Sequence, residues 1–283
     1  MDRPLGLIGV PSELGANRKG TAKAPSVIIN QVLPKLGHAI DLGSIDAPKT
    51  APRGSARAKH LKAIGKVCDD FCARSLSPHV FPVIIGGDHS VTYCVVRKLA
   101  QKSRMGLIYL DAHGDFNTPK TTPSGNVHGM VLSGIVGKLH SSLLHQNRPL
   151  IPQKNIVLIG TRDLDLEEKR ELAKSNITLF SPSTVRKMGP SQLMKRAVAI
   201  TAKTREGFHL SIDIDVVDKK WVRGTSTPSS GGITPKELKA LVAEALRHKI
   251  LSMDIMEYNP IHDPGKKTLK LLEEILILVD KAR

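Results

Sequence analysis

The sequence predicts an α/β protein whose strands form a mostly parallel sheet. Short apolar runs alternate with segments of helical periodicity along the chain, which is the pattern of strand–helix–strand units. Two runs, Val83–Ile85 and Leu107–Leu110, are apolar or aromatic at every position, as is typical of strands buried on both faces. With 283 residues, of which 40% are hydrophobic, the chain can bury one large core. We therefore expect a single domain over residues 1–283.

The elements follow in order from these runs. The predicted strands are 5–10, 38–42, 80–85, 106–110, 155–160, 176–180, 207–212 and 249–255. Between them, apolar residues at three- and four-residue spacing predict helices. The predicted helices are 25–36, 56–77, 90–102, 129–138, 165–174, 189–203, 234–247 and 266–281. The helix at 234 has a capping box, Thr234 with Glu237, and Pro235 in its first turn.

The cysteines indicate neither a zinc site nor a disulfide framework. Cys68 and Cys72 lie four residues apart on a predicted helix, and no second cysteine pair or nearby histidine completes a metal site. We expect these two and Cys94 to be buried or free thiols in a reducing compartment. The N-terminus leads at once into a strand, and no apolar run reaches the length of a membrane span. These features predict a cytoplasmic protein with no membrane contact.

The chain is basic, with a formal net charge of +16. Such a charge is compatible with nucleic-acid binding or with a basic, solvated surface. The lysines and arginines are spread along the whole sequence, and aromatic residues make up only 3%, so few side chains are available to stack on bases. We therefore expect no nucleic-acid partner and a small-molecule substrate instead.

Acidic and histidine side chains follow three of the predicted strands. They are His89 after the third strand, Asp111, His113 and Asp115 after the fourth, and Asp213 and Asp215 after the seventh. Ligand sites of parallel sheets form beyond the carboxyl ends of the strands, so the three clusters can converge on one point. Within each cluster, alternate residues point the same way if the backbone stays extended.

Four carboxylates and two imidazoles without a thiolate favour a pair of divalent cations. The alternative is an acidic strand end neutralised by lysine or arginine. Packing so many carboxylates together without cations is costly, which favours the metal site. Carboxylates suit Mn²⁺ or Mg²⁺, and the histidines favour Mn²⁺. Two such ions lower the pKa of a shared water and supply hydroxide at neutral pH, so the expected chemistry is hydrolysis.

The three clusters resemble the signature segments of the ureohydrolases, the family of arginases, agmatinases and their relatives. The matching segments are Gly86–Ser90, Asp111–Asp115 and Ser211–Asp215, and the resemblance extends from Ile8 to Pro260. It implies an arginase-like, three-layer fold with an eight-stranded parallel sheet flanked by helices. It also implies two Mn²⁺ ions per chain and hydrolysis of a guanidino group by a metal-bridging hydroxide, which releases urea and an amine.

The resemblance also assigns roles by position. One ion is expected on His89, Asp111, Asp115 and Asp213, and the other on His113, Asp111, Asp213 and Asp215. The catalytic residues are expected to be Asp115, which helps move a proton, His128, which resembles a proton shuttle, and Glu257, which resembles a residue that orients the guanidinium.

Substrate binding is expected in two loops. Asn117, Thr122, Ser124, Asn126 and His128 resemble a loop that receives the α-carboxylate of L-arginine, although the segment 122–128 alone also reads as an ordinary turn rich in Pro, Ser and Gly. Asp165 and Glu168 resemble residues that meet the α-ammonium, and Thr227 is expected to contact substrate too. The expected reaction is therefore L-arginine to L-ornithine and urea.

Two alternatives remain open. One is a related ureohydrolase acting on agmatine or another guanidino compound, which needs no donors for an α-carboxylate. The other is a catalytically silent scaffold or basic binding protein on the same fold. Four residues depart from the family pattern, namely Val216, Lys219, Arg223 and Ser226, and they put the shape of loop 216–230 in question. We also expect a homo-oligomer, either a trimer or a hexamer.

Overall fold

Eight strands form one sheet in the computed structural model, which describes residues 3–47, 56–73, 77–139, 148–201 and 206–283. They are β1 (Leu5–Val10), β2 (Ala39–Ser44), β3 (Phe81–Gly86), β4 (Gly106–Leu110), β5 (Ile156–Ile159), β6 (Thr178–Phe180), β7 (Phe208–Asp213) and β8 (Ile250–Met256). Their spatial order is β2-β1-β3-β8-β7-β4-β5-β6, and all neighbouring strands are parallel. All eight predicted strands are confirmed, with small shifts at their ends.

Nine α-helices lie within the described ranges. They are α1 (Ala24–Gln31), α2 (Ala56–Ala73), α3 (Ser90–Ala100), α4 (Val131–Ile135), α5 (Leu166–Ala173), α6 (Pro182–Met188), α7 (Pro190–Thr201), α8 (Pro235–Ala245) and α9 (Lys267–Lys281). Short 3₁₀ turns occupy Thr21–Lys23, Leu33–Lys35, His128–Met130, Gln153–Asn155, Ile214–Val216 and Pro260–His262. The eight predicted helices are found with shifted ends, and positions 74–76 and 202–203 of the predicted helices lie outside the described ranges. Helix α6 was not predicted from the sequence.

The helices cover both faces of the sheet, which gives the three expected layers. Along β3, Val83 and Ile85 belong to one apolar layer and Ile84 to the other, because successive side chains of a strand point to opposite faces. The first layer holds apolar residues of α1, α6, α7, α8 and α9, and the second holds those of α2, α3, α4 and α5. Full burial on both faces explains why these strands are apolar at consecutive positions.

The sheet order places the candidate residues at its centre. Strands β3, β8, β7 and β4 are consecutive neighbours. His89 follows β3, Glu257 follows β8, Asp213 ends β7, and Asp111 follows β4. Since the strands are parallel, all four residues lie at the same edge of the sheet, and the crevice beyond that edge is where such folds bind ligands.

The cysteines differ from the expectation of free thiols. Cys68 of α2 and Cys94 of α3 are paired as a disulfide that joins the two helices, whereas Cys72 is a free thiol. The sequence could not predict this pair, because the packing of α2 against α3 brings the two residues together. Among the helices described, none combines the length and the hydropathy needed to cross a membrane.

Candidate active site

His89 lies at the centre of the first group of candidate metal ligands. Its Nδ1 atom is 3.0 Å from Asp111 Oδ2, 3.3 Å from Asp213 Oδ2 and 3.4 Å from Asp115 Oδ2. All four side chains are buried. One nitrogen and three carboxylate oxygens therefore face a common point, with the donor types that suit Mn²⁺.

His113 lies in a second group that shares Asp111 with the first. Its Nδ1 atom is 3.4 Å from Asp111 Oδ1 and 3.1 Å from Asp215 Oδ2. The ligand atoms of His113, Asp111 and Asp215 lie within 4.8 Å of one another, as do those of His89, Asp111 and Asp115. The arrangement is thus two adjacent sites joined by one carboxylate, and all six predicted metal ligands are brought together.

The backbone holds these carboxylates in place. The amide of His113 donates to Asp111 Oδ1 at 2.7 Å, and the amide of Asp215 donates to Asp213 Oδ1 at 2.8 Å. Asp115 has a left-handed backbone with φ 48°, which an L residue adopts at a cost. The Tyr109 hydroxyl donates to Asp115 Oδ2 at 2.6 Å. The Tyr109 ring stacks on the His89 ring, with the two ring centroids 4.4 Å apart.

Crowded buried carboxylates shift the pKa values of the site. Burial and the charge of Asp111 raise the pKa of Asp115 to about 7. Burial, Asp215 and Asp111 raise the pKa of Asp213 well above its usual value. Burial disfavours the charged form of His89, but the nearby carboxylates of Asp111 and Asp213 outweigh it and raise its pKa. Negative charge is therefore concentrated here, and cations are the ligands that relieve it.

Unsatisfied buried atoms identify where such cations fit. His89 Nδ1 and Asp111 Oδ2 are buried and form no hydrogen bond, although they lie 3.0 Å apart. Buried polar atoms normally have partners, so two unsatisfied atoms that face each other indicate a missing one. A divalent cation coordinated by both atoms would satisfy them, so the residues present fit a metal ion.

His128, which is partly buried, pairs with the fully buried Glu257 beside the first group. His128 Nδ1 is 2.9 Å from Glu257 Oε1, which also accepts the His89 amide at 2.9 Å. Glu257 has a left-handed backbone, with φ 62°, and its Oε2 atom is buried without a partner. Burial opposes protonation of His128, but attraction by Glu257 outweighs it and raises the pKa of the imidazole to about 9.

A cavity of about 270 Å³ opens above the acidic groups. Its walls include every predicted substrate residue except Glu257, namely Asn117, Thr122, Ser124, Asn126, Asp165, Glu168 and Thr227, together with His128. Glu257 lies behind His128 instead. A second cavity of about 400 Å³ shares His113, His128 and Thr227 and continues toward Arg18. The acidic groups thus lie at the base of a cleft.

Several of these predicted substrate residues form hydrogen bonds with one another or with a predicted metal ligand. Asn117 Nδ2 donates to Asp165 Oδ2 at 2.9 Å, and Thr227 Oγ1 donates to Asp215 Oδ2 at 2.9 Å. Glu168 accepts the amides of Phe116 and Asp165 at 2.8 and 3.3 Å, so it holds the start of α5 against the loop. Burial raises the pKa of Glu168 to about 7, which favours a cationic neighbour.

Arg162 fixes the loop whose sequence departs from the family pattern. Its guanidinium donates to the carbonyls of Gly160, Asp215, Val216, Ser229 and Ser230 at 2.7–3.1 Å.

Val216 fits because Gly160 has no side chain: a Cβ there would lie 2.3 Å from a Val216 methyl group. Lys219 and Arg223, together with Arg18, line a cavity of about 690 Å³ beside the cleft. The loop is ordered by contacts that its own sequence does not show.

Some residues at the site were not found from the sequence. Tyr109 lies inside an apolar strand and has the appearance of a core residue, yet it contacts both His89 and Asp115. Ser211 and Thr92 are small polar residues. Ser211 contacts His89 directly, and Thr92 contacts Ser211. The only available signal was their position in strands or helices next to ligands, which does not by itself reveal a contact.

The comparison with family models adds an independent finding. The model of the Arginase family matches residues 3–279, almost the whole chain. The chain belongs to the arginase family. The resemblance inferred from the three motifs is therefore confirmed.

Individual arginases match over nearly their full lengths. The chain is 34% identical to the arginase of Bacillus caldovelox, covering 94% of each chain. The crystal structure of arginase from Bacillus cereus is similar with a TM-score of 0.87 and 30% identity over 98% of both chains. Entamoeba histolytica arginase, solved in complex with L-ornithine, has a TM-score of 0.86 and 26% identity, covering 98% of this chain and 97% of its own.

Proposed function

We propose that the protein catalyses the manganese-dependent hydrolysis of L-arginine to L-ornithine and urea. The observation that carries the proposal is the pair of buried ligand groups sharing Asp111 at the base of a cleft lined by polar side chains. The similarity to arginases supports the substrate, and the ornithine complex of one relative fits the proposed product.

The metal ions would be held by six side chains. His89, Asp111, Asp115 and Asp213 would hold one Mn²⁺, and His113, Asp111, Asp213 and Asp215 would hold the other. When bound, such a pair lowers the pKa of a water molecule and supplies hydroxide at neutral pH. The preference for manganese over magnesium rests on the two imidazoles among the ligands.

The surrounding side chains would orient the substrate and move protons. Glu257, with Oε2 buried and unpaired, is suited to hold a planar guanidinium by charge-assisted hydrogen bonds. Asp115, steadied by Tyr109, would take up a proton from the attacking oxygen. His128, whose pKa lies at about 9, is protonated at neutral pH and would deliver a proton to the leaving amine.

The outer part of the cleft would recognise the α-carbon groups of L-arginine. Asn117, Thr122, Ser124 and Asn126 offer donors for the α-carboxylate, and Asp165 and Glu168 offer carboxylates for the α-ammonium. Both sets line one cavity, and Asn117 of the first set contacts Asp165 of the second. Agmatine lacks the carboxylate and 4-guanidinobutyrate lacks the ammonium, so each would lose one set of contacts.

A urea-release assay with Mn²⁺ tests the proposal. L-arginine, agmatine and 4-guanidinobutyrate are compared by kcat/KM. Each hydrogen bond to a charged group contributes about 1.5–3 kcal/mol, so two lost contacts should lower kcat/KM for agmatine by about two to four orders of magnitude. Equal use of agmatine and L-arginine would instead indicate a broader ureohydrolase.

Two substitutions separate the two ends of the substrate. Asp165→Ala should lower kcat/KM for L-arginine most and for 4-guanidinobutyrate much less. Ser124→Ala should lower kcat/KM for L-arginine while leaving the weak turnover of agmatine nearly unchanged. The same assay with all three substrates in both variants measures this pattern, and uniform losses would contradict the assignment of the two sets of residues.

Location and assembly are further parts of the proposal. A cytoplasmic homo-oligomer, trimer or hexamer, is expected for the enzyme. The disulfide between Cys68 and Cys94 bears on the location, because reducing compartments keep most thiols unpaired. Cell fractionation measures the location, and light scattering of the purified protein measures the number of chains in the assembly.

A further inference from the structure

A chain of buried polar side chains runs from His89 into the core. His89 Nε2 is 2.9 Å from Ser211 Oγ, which is 3.2 Å from Thr92 Oγ1. The Thr92 hydroxyl donates to Asp254 Oδ2 at 2.8 Å, and the same oxygen is 2.8 Å from His209 Nε2. We call these residues, together with Ser252 at 2.7 Å from His209 Nδ1, the β7–β8 chain.

The β7–β8 chain is enclosed by the molecule. Thr92, His209, Ser211, Ser252 and Asp254 are all fully buried. In the sheet, Ser211 is the partner of Asp254 and His209 is the partner of Ser252, and Thr92 reaches them from α3. Burying polar groups costs free energy unless each is hydrogen-bonded, and apolar residues could fill the same layer without that cost. Their presence therefore calls for a purpose other than packing.

The carboxylate sets the direction of every hydrogen bond between it and His89. The Thr92 hydroxyl donates its proton to Asp254 Oδ2, and carboxylate oxygens are acceptors. The Thr92 oxygen is then free to accept from Ser211, and Ser211 is free to accept from His89 Nε2. The outcome is a proton on Nε2 of His89, so Nδ1, the atom that faces the three aspartates, is the nitrogen that can coordinate a cation.

We propose that Asp254 is a positioning residue that acts through Thr92 and Ser211 to prepare His89 for metal binding. It fixes the tautomer whose Nδ1 can coordinate a cation and the ring orientation that directs this atom into the site. His209, which meets the same carboxylate oxygen from β7, holds Asp254 in place. Partners that orient a ligating histidine usually change metal affinity by about 10–100-fold when removed. The proposal rests on the proposed metal site, and it is independent of which guanidino compound is hydrolysed.

The test measures the affinity for each Mn²⁺ ion rather than turnover. Metal-free protein is titrated with Mn²⁺, and the free ion is counted by electron paramagnetic resonance. Thr92→Val removes the relaying hydroxyl at nearly constant shape, Thr92→Ser keeps it, and Asp254→Asn replaces the pure acceptor with an amide that can donate. Asp280→Asn is the matched control, because Asp280 is a buried aspartate that accepts the amides of Gly37 and His38 away from the site.

We expect the wild type to bind two ions. Thr92→Val and Asp254→Asn should weaken one of them by about 10–100-fold and leave the other nearly unchanged, whereas Thr92→Ser should resemble the wild type. Asp280→Asn should lower the melting temperature of the metal-free protein without changing either affinity. In a His89→Ala background, Thr92→Val should have no further effect on the remaining ion, which assigns the weakened site to His89.

Two results would overturn the proposal. If Thr92→Val lowers the melting temperature but leaves both affinities unchanged, the β7–β8 chain is structural only. That conclusion holds even if Asp254→Asn does not fold, since Thr92→Val conserves volume and shape. If the wild-type protein binds no Mn²⁺, both this proposal and the metal site fail. If it binds two ions but does not hydrolyse L-arginine, the affinity pattern still decides the role of Asp254.

Discussion

Asp213 is a candidate ligand that we predict to bridge the two ions. One of its carboxylate oxygens accepts the Asp215 amide and the other lies 3.3 Å from His89 Nδ1. If it bridges both ions, Asp213→Ala should weaken binding of both and abolish most urea release. Asp218→Ala should matter less, because the Asp218 carboxylate accepts the amides of Lys220 and Gly231 and is not among the candidate ligands. Bound manganese and kcat/KM measure both effects, and equal losses in the two variants would contradict the bridging role.

His128 should act in proton transfer rather than in binding. Its Nδ1 is engaged by Glu257, and the residue lines the cleft. His128→Ala should lower kcat by about 10²–10⁴-fold with little change in KM. Steady-state kinetics with L-arginine distinguish the two roles, since a variant that keeps kcat but raises KM would indicate a binding residue. Free imidazole should partly restore the activity of the variant.

The raised pKa of His128 also predicts how stability depends on pH. The folded protein holds the proton to about pH 9, whereas an unfolded histidine loses it near 6.5. The stabilisation is therefore complete below pH 6.5 and disappears as the pH rises through about 9. In metal-free protein, the unfolding free energy should fall over this range by about 1–3 kcal/mol more in the wild type than in His128→Asn. Denaturant unfolding from pH 6 to 9.5 measures the difference, and parallel curves would refute it.

At the scale of elements, the strands were the most predictable part of the molecule. Strands buried on both faces need continuous apolar runs, and such runs are visible without a structure. Helix α6 was missed because only Pro182 and Val185 of its seven residues are buried, so its apolar period is weak. Its start signal, a Ser181 cap followed by Pro182, was the available clue.

The active site also has residues that the sequence reveals and residues that it does not. The six ligand candidates were visible because acidic residues directly after apolar runs are conspicuous, and parallel topology brings strand ends together. Asp254 and His209 were not, because their contact depends on the register of β7 against β8, which the sequence does not state. The Cys68–Cys94 pair depended in the same way on how two helices pack.

Loop 216–230 is an element held largely by one side chain. Arg162 donates five hydrogen bonds to carbonyls at the two ends of this segment and to Gly160. Arg162→Lys keeps the charge but loses the planar fork, so it should cost about 2–4 kcal/mol of stability and raise KM for L-arginine. Arg186→Lys is the control, since Arg186 makes one bond to the carbonyl of Gly232 at 3.3 Å. Thermal unfolding and steady-state kinetics test the pair, and similar effects in both variants would contradict the role of Arg162.

At the scale of the whole molecule, metal binding should stabilise the fold. The carboxylates at the centre of the sheet repel one another, as the raised pKa values of Asp115 and Asp213 indicate. Each ion at a hundred times its dissociation constant should add about 2.7 kcal/mol to the unfolding free energy. That corresponds to a rise in Tm of about 5 °C per ion for a protein of this size. Chelation should reverse the shift and abolish urea release, and calorimetry with and without Mn²⁺ measures it. Full activity without bound metal would refute the metal requirement.

The strand order has a consequence for how the chain folds during its synthesis. Strand β8 fills the gap between β3 and β7, yet it is the last strand in the sequence. Until Ile250–Met256 leaves the ribosome, the sheet can exist only as two separate parts, β2-β1-β3 and β7-β4-β5-β6. The backbone edges of β3 and β7 that β8 later covers are unpaired during that interval, which lasts several seconds at about 5–20 residues per second. The nascent protein therefore passes through an aggregation-prone stage at the very place where its ligands later meet, and chaperone protection would matter most before β8 has left the ribosome.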